Sequence, residues 1–267
     1  MRFCPLFSGS SGNSIYVGSD NTHLLIDVGV PKKYMDEALN SIGLTGNDVS
    51  GILITHEHSD HIGGLGVFLR KHPVPVYATA KTIDKILLNA KSLGCVDDSL
   101  FHVVDPDTGF LVGDIEAVPF RVSHDAADPV AYRFKSGEKK LAVCTDLGCY
   151  DDYTVSNLKG LDTLLIEANH DIPRLQTNPK YPYYLKRRIL SDKGHLCNEA
   201  SGRLLSSVLH DDLKKIYLGH LSKDNNYPDL AFEAVRCEIN MDSSSYKAND
   251  FDIAIAKRDT VSECFEF

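Results

Sequence analysis

One stretch, His56-Glu57-His58-Ser59-Asp60-His61, constrains this chain more than any other. It follows Gly51-Ile52-Leu53-Ile54, a short apolar and β-branched run that reads as a buried strand. The strand stops, and three imidazoles and the Asp60 carboxylate arrive within six residues. Two apart on an extended loop, His56 and His58 can turn to one side, while Asp60 and His61 face a second point a short distance away. Gly63-Gly64 then lets the backbone pass close by and tighten into a helix. His and Asp are ligands of zinc, manganese and iron, so the loop predicts two adjacent metal ions at a strand end. A solvated, merely His-rich loop would not explain this density at that place.

The pattern recurs along the chain. Asp27, His56, His124, Asp146, His170 and His220 each directly follow an apolar run. Strands lying side by side present their ends along one sheet edge, so the set predicts an α/β protein with a single cluster drawn from distant segments. Between these strands the spacing predicts helices over 31–43, 62–71, 79–94 (apolar face Ile83, Ile86, Leu87, Ala90, Leu93), from an Asn198 cap through Leu209, and over 228–240. Residues 101–142 read as successive strands separated by turns, 173–182 as loop, and 251–256 as a closing strand. No linker divides the chain, so residues 1–267 are expected to form one domain; with 43% hydrophobic residues it can bury a core. His72 and His102 stand alone and carry no chemistry in this reading.

The H-x-H-x-D-H loop resembles the signature of the metallo-β-lactamase fold hydrolases, with His58 where the oxygen-reducing diiron branch has Glu. The resemblance implies a four-layer αβ/βα sandwich, two mixed sheets flanked by helices. It assigns His56, His58 and His124 to one metal, Asp60, His61 and His220 to the other, and Asp146 to both, with Asp27 supporting the loop from behind. Ser8-Gly9-Ser10-Ser11-Gly12-Asn13-Ser14, Glu167-Ala168-Asn169-His170-Asp171, Gly194-His195-Leu196 with Asn198-Glu199, and Gly219-His220-Leu221-Ser222 with Asn225-Asn226 and Pro228 resemble the WalJ/YycJ (VicX) branch. That branch is associated with 5′-to-3′ DNA exonuclease activity. The implied protein is a dinuclear phosphodiester hydrolase using a metal-bridging hydroxide, with two zinc or manganese ions, or iron. Cys197 stands where relatives usually carry Ser. The long nucleic-acid-clamping insertion of larger nuclease relatives is absent.

The implied catalytic residues are Asp60, His195, Glu167 and His170. His195, outside the ligand set, either donates a proton to the leaving group, oriented by Glu167 or His170, or caps and packs a helix. Ser10 and Asn13 belong either to a plain hairpin or to a loop presenting donors to an anion. Lys186, Arg187 and Arg188, beside Tyr181, Tyr183 and Tyr184, form either a solvated helix face or an arm that meets DNA phosphates. A formal net charge of −9 argues against a broad basic surface but leaves room for DNA meeting a metal-charged site. The same acidity favours the alternative, a small-molecule hydrolase of a cyclic phosphodiester, thioester or lactone. A non-enzymatic partner protein would have no reason to keep seven ligands. Seven scattered cysteines with no C-x-x-C fit a reducing cytoplasm better than a disulfide framework, and no run approaches membrane-spanning length. The sequence is silent on oligomeric state.

Overall fold

The computed structural model describes residues 1–88 and 93–267. The chain divides into two compact units: Met1–Arg121 with Ala126–Lys139 and Lys257–Phe267, and Val122–Asp125 with Lys140–Ala256. The strands form two mixed sheets with helices around them.

In the first unit, β1 (Arg2–Phe7), β2 (Ser14–Gly18) and β3 (His23–Ile26) run antiparallel, and β3 continues in parallel into β4 (Gly51–Leu53), β5 (Val76–Ala78) and β6 (Phe101–Val103). The short strand Phe265–Glu266 adds to the free side of β1. Helices α1 (Lys32–Ser41), α2 (Ser59–Ile62), α3 (Leu65–Lys71) and α4 (Ala80–Leu88) follow β3, β4 and β5. Leu25, Ile52, Ile54, Met35, Leu39, Phe68 and Ile83 meet in one apolar core. Ile26 pairs with Leu53, so Asp27 and Ile54-Thr55 leave the sheet side by side. The strands β7 (Phe110–Val112), β8 (Ile115–Arg121) and β9 (Val130–Ser136) complete this unit as an antiparallel meander.

The second unit is built on four parallel strands, β10 (Lys139–Cys144), β11 (Thr163–Glu167), β12 (Lys215–Gly219) and β13 (Ile253–Ile255). Cys144 pairs with Ile166 and Glu167 with Gly219. The segments carrying Asp146, His170 and His220 therefore all emerge at the carboxyl edge, where parallel sheets place their sites. Helices α5 (Asp152–Leu158), α6 (Ile172–Thr177), α7 (Tyr183–Ile189), α8 (Asn198–Ser206) and α9 (Pro228–Met241) connect or follow them.

Several elements differ from expectation. The helix expected over 62–71 is the end of α2 followed by α3, interrupted at Gly63-Gly64, where the Gly64 N–H donates to the Val28 carbonyl at 2.9 Å and the approach to the Val30 carbonyl leaves no room for a Cβ. The loop expected over 173–182 begins with α6, capped by Asp171, whose carboxylate accepts the Arg174 N–H at 2.8 Å. Strand β1, not among the expected elements, accommodates Pro5 where the β1–β2 register shifts. Helix α8 is capped by Cys197, whose sulfur accepts the Ala200 N–H at 3.4 Å, while the expected cap Asn198 is fully buried and bonded to Asn226. Ala90, expected on the face of the helix over 79–94, lies outside the described residues. Cys4 and Cys264 form a disulfide, against the expectation of free thiols, because antiparallel pairing of the first and last strands brings their Cα atoms to 4.4 Å. Among the described residues no helix is long and apolar enough to cross a membrane.

Candidate metal centre

The first unit contributes one contiguous group. Past β4, the His56 ring lies 4.6 Å from that of His58 and 4.1 Å from that of His61, centroid to centroid. Asp60 Oδ2 is 3.5 Å from His61 Nε2. This crowding is held from behind. Asp27 Oδ2 accepts from His61 Nδ1 at 2.7 Å and from the Thr55 hydroxyl at 2.8 Å, and Oδ1 accepts the Thr55 N–H at 2.8 Å. Nδ1 of His61 is thus the protonated nitrogen, and Nε2 keeps its lone pair for a ligand role. Burial raises the Asp27 pKa, against the lowering effect of His61 and Thr55. Asp27 takes this position at φ 63°, a left-handed conformation that costs a non-glycine residue about 1–3 kcal/mol unless its surroundings impose it. Three hydrogen bonds on one buried carboxylate do so.

Asn13 holds the same loop from the other side. Its backbone N–H donates to the Asp60 carbonyl at 2.8 Å, and its Nδ2 lies 3.4 Å from Asp60 Oδ2 and 3.1 Å from His61 Nε2. Asn13 is buried whereas Ser10 is exposed, so the two residues expected to share one role are placed differently.

The second unit gathers its group from separate strand ends. His124 Nε2 and His220 Nε2 lie 3.8 and 3.6 Å from Asp146 Oδ1. Nδ1 of His124 donates to the Gly194 carbonyl at 3.0 Å, and Nδ1 of His220 to Glu167 Oε1 at 2.8 Å. The same Oε1 accepts from His195 Nδ1 at 2.7 Å, while Oε2 accepts the Leu147 and Leu196 N–H groups at 3.0 and 3.3 Å. Glu167 is fully buried and fixes two imidazoles at once. Burial works against its charge, but His195 and His220 outweigh it and lower the pKa; in turn burial opposes the charged His195 ring, and Glu167 with Asp146 outweighs that and raises its pKa. Asp146 (φ 59°) and His220 (φ 55°) share the left-handed backbone of Asp27. Of the four non-glycine residues with positive φ among the described residues, three are sequence-predicted site residues.

His170 is buried, its pKa lowered to about 4 mainly by burial, and its Nδ1 pairs with Asn169 at 3.3 Å. Glu167, not His170, holds His195. In the basic arm, Arg188 is ion-paired with Asp125, Lys186 Nζ donates to the Gln176 carbonyl at 2.7 Å, and the exposed Arg187 lies 6.0 Å over the Tyr183 ring. Thr55 and Asn226 escaped the sequence reading as structural groups. Asn226 donates to the Ala168 and Asn169 carbonyls at 2.9 and 3.1 Å, tying the β11 end to the segment after His220. For Thr55, a hydroxyl residue directly before a strand-end histidine was the available signal.

All-nitrogen and oxygen donors, with the outer imidazole nitrogens fixed by buried acceptors, suit a divalent cation. The profile of the metallo-beta-lactamase superfamily matches residues 8–196, and the chain belongs to that superfamily. Within it the chain stands in the YycJ/WalJ-like branch. It is 45% identical over 231 residues to Exodeoxyribonuclease YycJ of Bacillus anthracis, covering 86% of each chain. It is 44% identical over 230 residues to Exodeoxyribonuclease WalJ of Streptococcus pneumoniae serotype 2 (strain D39), covering 86% of this chain and 85% of the relative. The crystal structure of the metallo-beta-lactamase fold protein YhfI from Bacillus subtilis matches with a TM-score of 0.69 over 98% of this chain and 99% of that one, at 16% identity. That likeness shows the fold, the α/β sandwich expected from the sequence. Superfamily and donor clusters together mean divalent-metal binding.

Proposed function

We propose that this chain is a dinuclear phosphodiester hydrolase that removes nucleotides from DNA in the 5′-to-3′ direction, in the cytoplasm. His56, His58 and His124 would hold one ion, Asp60, His61 and His220 the other, and Asp146 both; zinc, manganese or iron suits such donors. When bound, the ions supply hydroxide at neutral pH and stabilise charge on the phosphate oxygens. The protein's own residues do the rest. Asp27, Thr55 and Asn13 fix the loop that carries Asp60 and His61. Glu167 holds the Nδ1 proton of His195, which leaves Nε2 to deliver a proton to the departing alkoxide. Ser10, Arg187 and the remainder of the arm contact phosphates. His170 is a packing residue that shapes the β11 end.

The observation that carries this reading is the 45% identity, over 86% of the chain, to a protein named an exodeoxyribonuclease. The complete ligand set at the strand ends supports it. The test offers end-labelled duplex DNA, cyclic nucleotides and a thioester to the metal-loaded protein in parallel, with phosphorothioates blocking either DNA end in turn. Degradation of DNA stopped only by a 5′ block is expected; turnover of the thioester alone would select the small-molecule reading. His195→Ala should slow DNA cleavage about 10²–10⁴-fold with metal retained, and barely affect a p-nitrophenyl ester of thymidine monophosphate, whose phenolate leaves unaided. Equal losses on both substrates would assign His195 to binding.

A further inference from the structure

Against the turn that carries Ser11, the first unit contains a cavity of about 380 Å³ lined by Phe7, Ser11, Val30, Tyr34, Arg258 and Asp259, among others. A second, of about 280 Å³, shares Phe7, Tyr34 and Asp259 with it. Each has the scale of a small-ligand pocket or just below it.

The turn that lines this cavity through Ser11 also touches the metal loop through Asn13. Gly12 N–H donates to the Gly9 carbonyl and Gly9 N–H to Asn13 Oδ1, both at 2.9 Å, which pushes Ser10 and Ser11 outward. Asn13, at one end of the turn, holds Asp60. The rest of the turn packs on the cavity walls. A Cβ on Gly12 would lie 2.4 Å from Val30 Cγ1, and one on Gly9 3.0 Å from Arg258 Cγ.

The lining has a definite chemistry. Tyr34 is 50% exposed, an aromatic ring left half in solvent at the start of α1. Phe7 and Val30 are almost fully buried and give the floor an apolar surface. Ser11 and Arg258 put a hydroxyl and a guanidinium on the side of the turn, and Asp259 adds a carboxylate to the lining that both cavities share with Tyr34. A guanidinium with a hydroxyl suits phosphate; a carboxylate repels phosphate but accepts from an exocyclic amino group. An exposed tyrosine offers a face for stacking any base. A flat heteroaromatic with a phosphate at one end matches all three.

We propose that this cavity is a nucleotide subsite: it takes the nucleotide flanking the bond that is cut, stacking its base on Tyr34 and setting its phosphate against Arg258 and Ser11. The proposal rests on the phosphodiesterase reading and adds how the substrate is gripped. Base stacking of this kind should tighten binding about tenfold.

The test titrates the metal-loaded, full-length protein calorimetrically with dAMP and with 2-deoxyribose 5-phosphate. The phosphate is common to both, so its affinity for bound metal cancels. Wild type should bind dAMP about tenfold tighter than the sugar phosphate. Tyr34→Ala should abolish that preference, Tyr34→Phe should keep it, and Arg258→Gln should weaken both ligands alike. A wild type without preference, or binding neither ligand, or a Tyr34→Ala variant with the preference intact, would overturn the subsite. Absence of DNA cleavage with the base preference intact would instead sink the exonuclease reading and leave the cavity a nucleotide-binding site without a role in DNA cleavage.

Discussion

The two donor groups reach similar chemistry by opposite routes. In the first unit, four donors come from one loop of six residues, and their geometry is local. Close backbone approaches hold it: a Cβ on Gly29 would lie 1.7 Å from the Asp60 carbonyl oxygen, and Val28 N–H donates to the His61 carbonyl at 2.8 Å. In the second unit, His124, Asp146, His195 and His220 come from segments separated by tens of residues, and one buried carboxylate, Glu167, organises half of them. A loop site depends on backbone space; an edge site depends on a hub. The same left-handed backbone at Asp27, Asp146 and His220 recurs in both, and hydrogen bonds hold it at Asp27 and His220.

The hub should be the more fragile. Glu167→Ala leaves His195 and His220 without their common acceptor; removing one partner of a buried, hydrogen-bonded charged set costs about 3–5 kcal/mol. Urea unfolding should show a loss of that size, together with loss of activity on every substrate. A loss under about 1 kcal/mol would mean that the imidazoles find other partners. The loop should fail differently. Gly29→Ala introduces a methyl group against backbone that cannot retreat, an overpacking cost of about 1–3 kcal/mol. Metal binding should weaken with it, because Asp60 is displaced directly; unchanged metal affinity would contradict the close-approach account. The smallest effect belongs to the basic arm, whose Arg188 and Lys186 already have protein partners. Replacing Lys186, Arg187 and Arg188 with Ala should flatten the salt dependence of DNA binding by roughly 0.9 per lost phosphate contact on duplex DNA. An unchanged slope would leave the arm a solvated helix face.

This contrast also explains what the sequence disclosed. The loop was legible because ligand density and the strand before it are local signals. The strand-end positions of His124, Asp146 and His220 were legible because each follows an apolar run; parallel pairing aligns the ends that carry Asp146 and His220, whereas His124 follows β8, which pairs antiparallel with its neighbours. Glu167 was legible only through the family motif, and its role as the acceptor for two rings depends on the Glu167–Gly219 register, which no local pattern reveals. Asn13 was read as a substrate contact because a Gly/Ser/Asn turn has the same composition whether its amide faces solvent or is buried under Asp60. Asn198 was read as a cap by propensity, but a cysteine took that position and freed the amide to pair with Asn226. The disulfide joining Cys4 to Cys264 spans 260 residues and was invisible to spacing.

The central proposal is that the ligand set drawn from both groups holds two metal ions. Elemental analysis of protein purified without chelator, for the wild type and Asp146→Asn, tests it most directly; asparagine tolerates the left-handed backbone, so the exchange removes the charge without adding strain. The wild type should carry close to two transition-metal equivalents per chain, and the variant should lose both, since one carboxylate serves both ions. A wild type that holds no metal and gains no activity on adding zinc or manganese, or a variant that keeps its full complement, would contradict it.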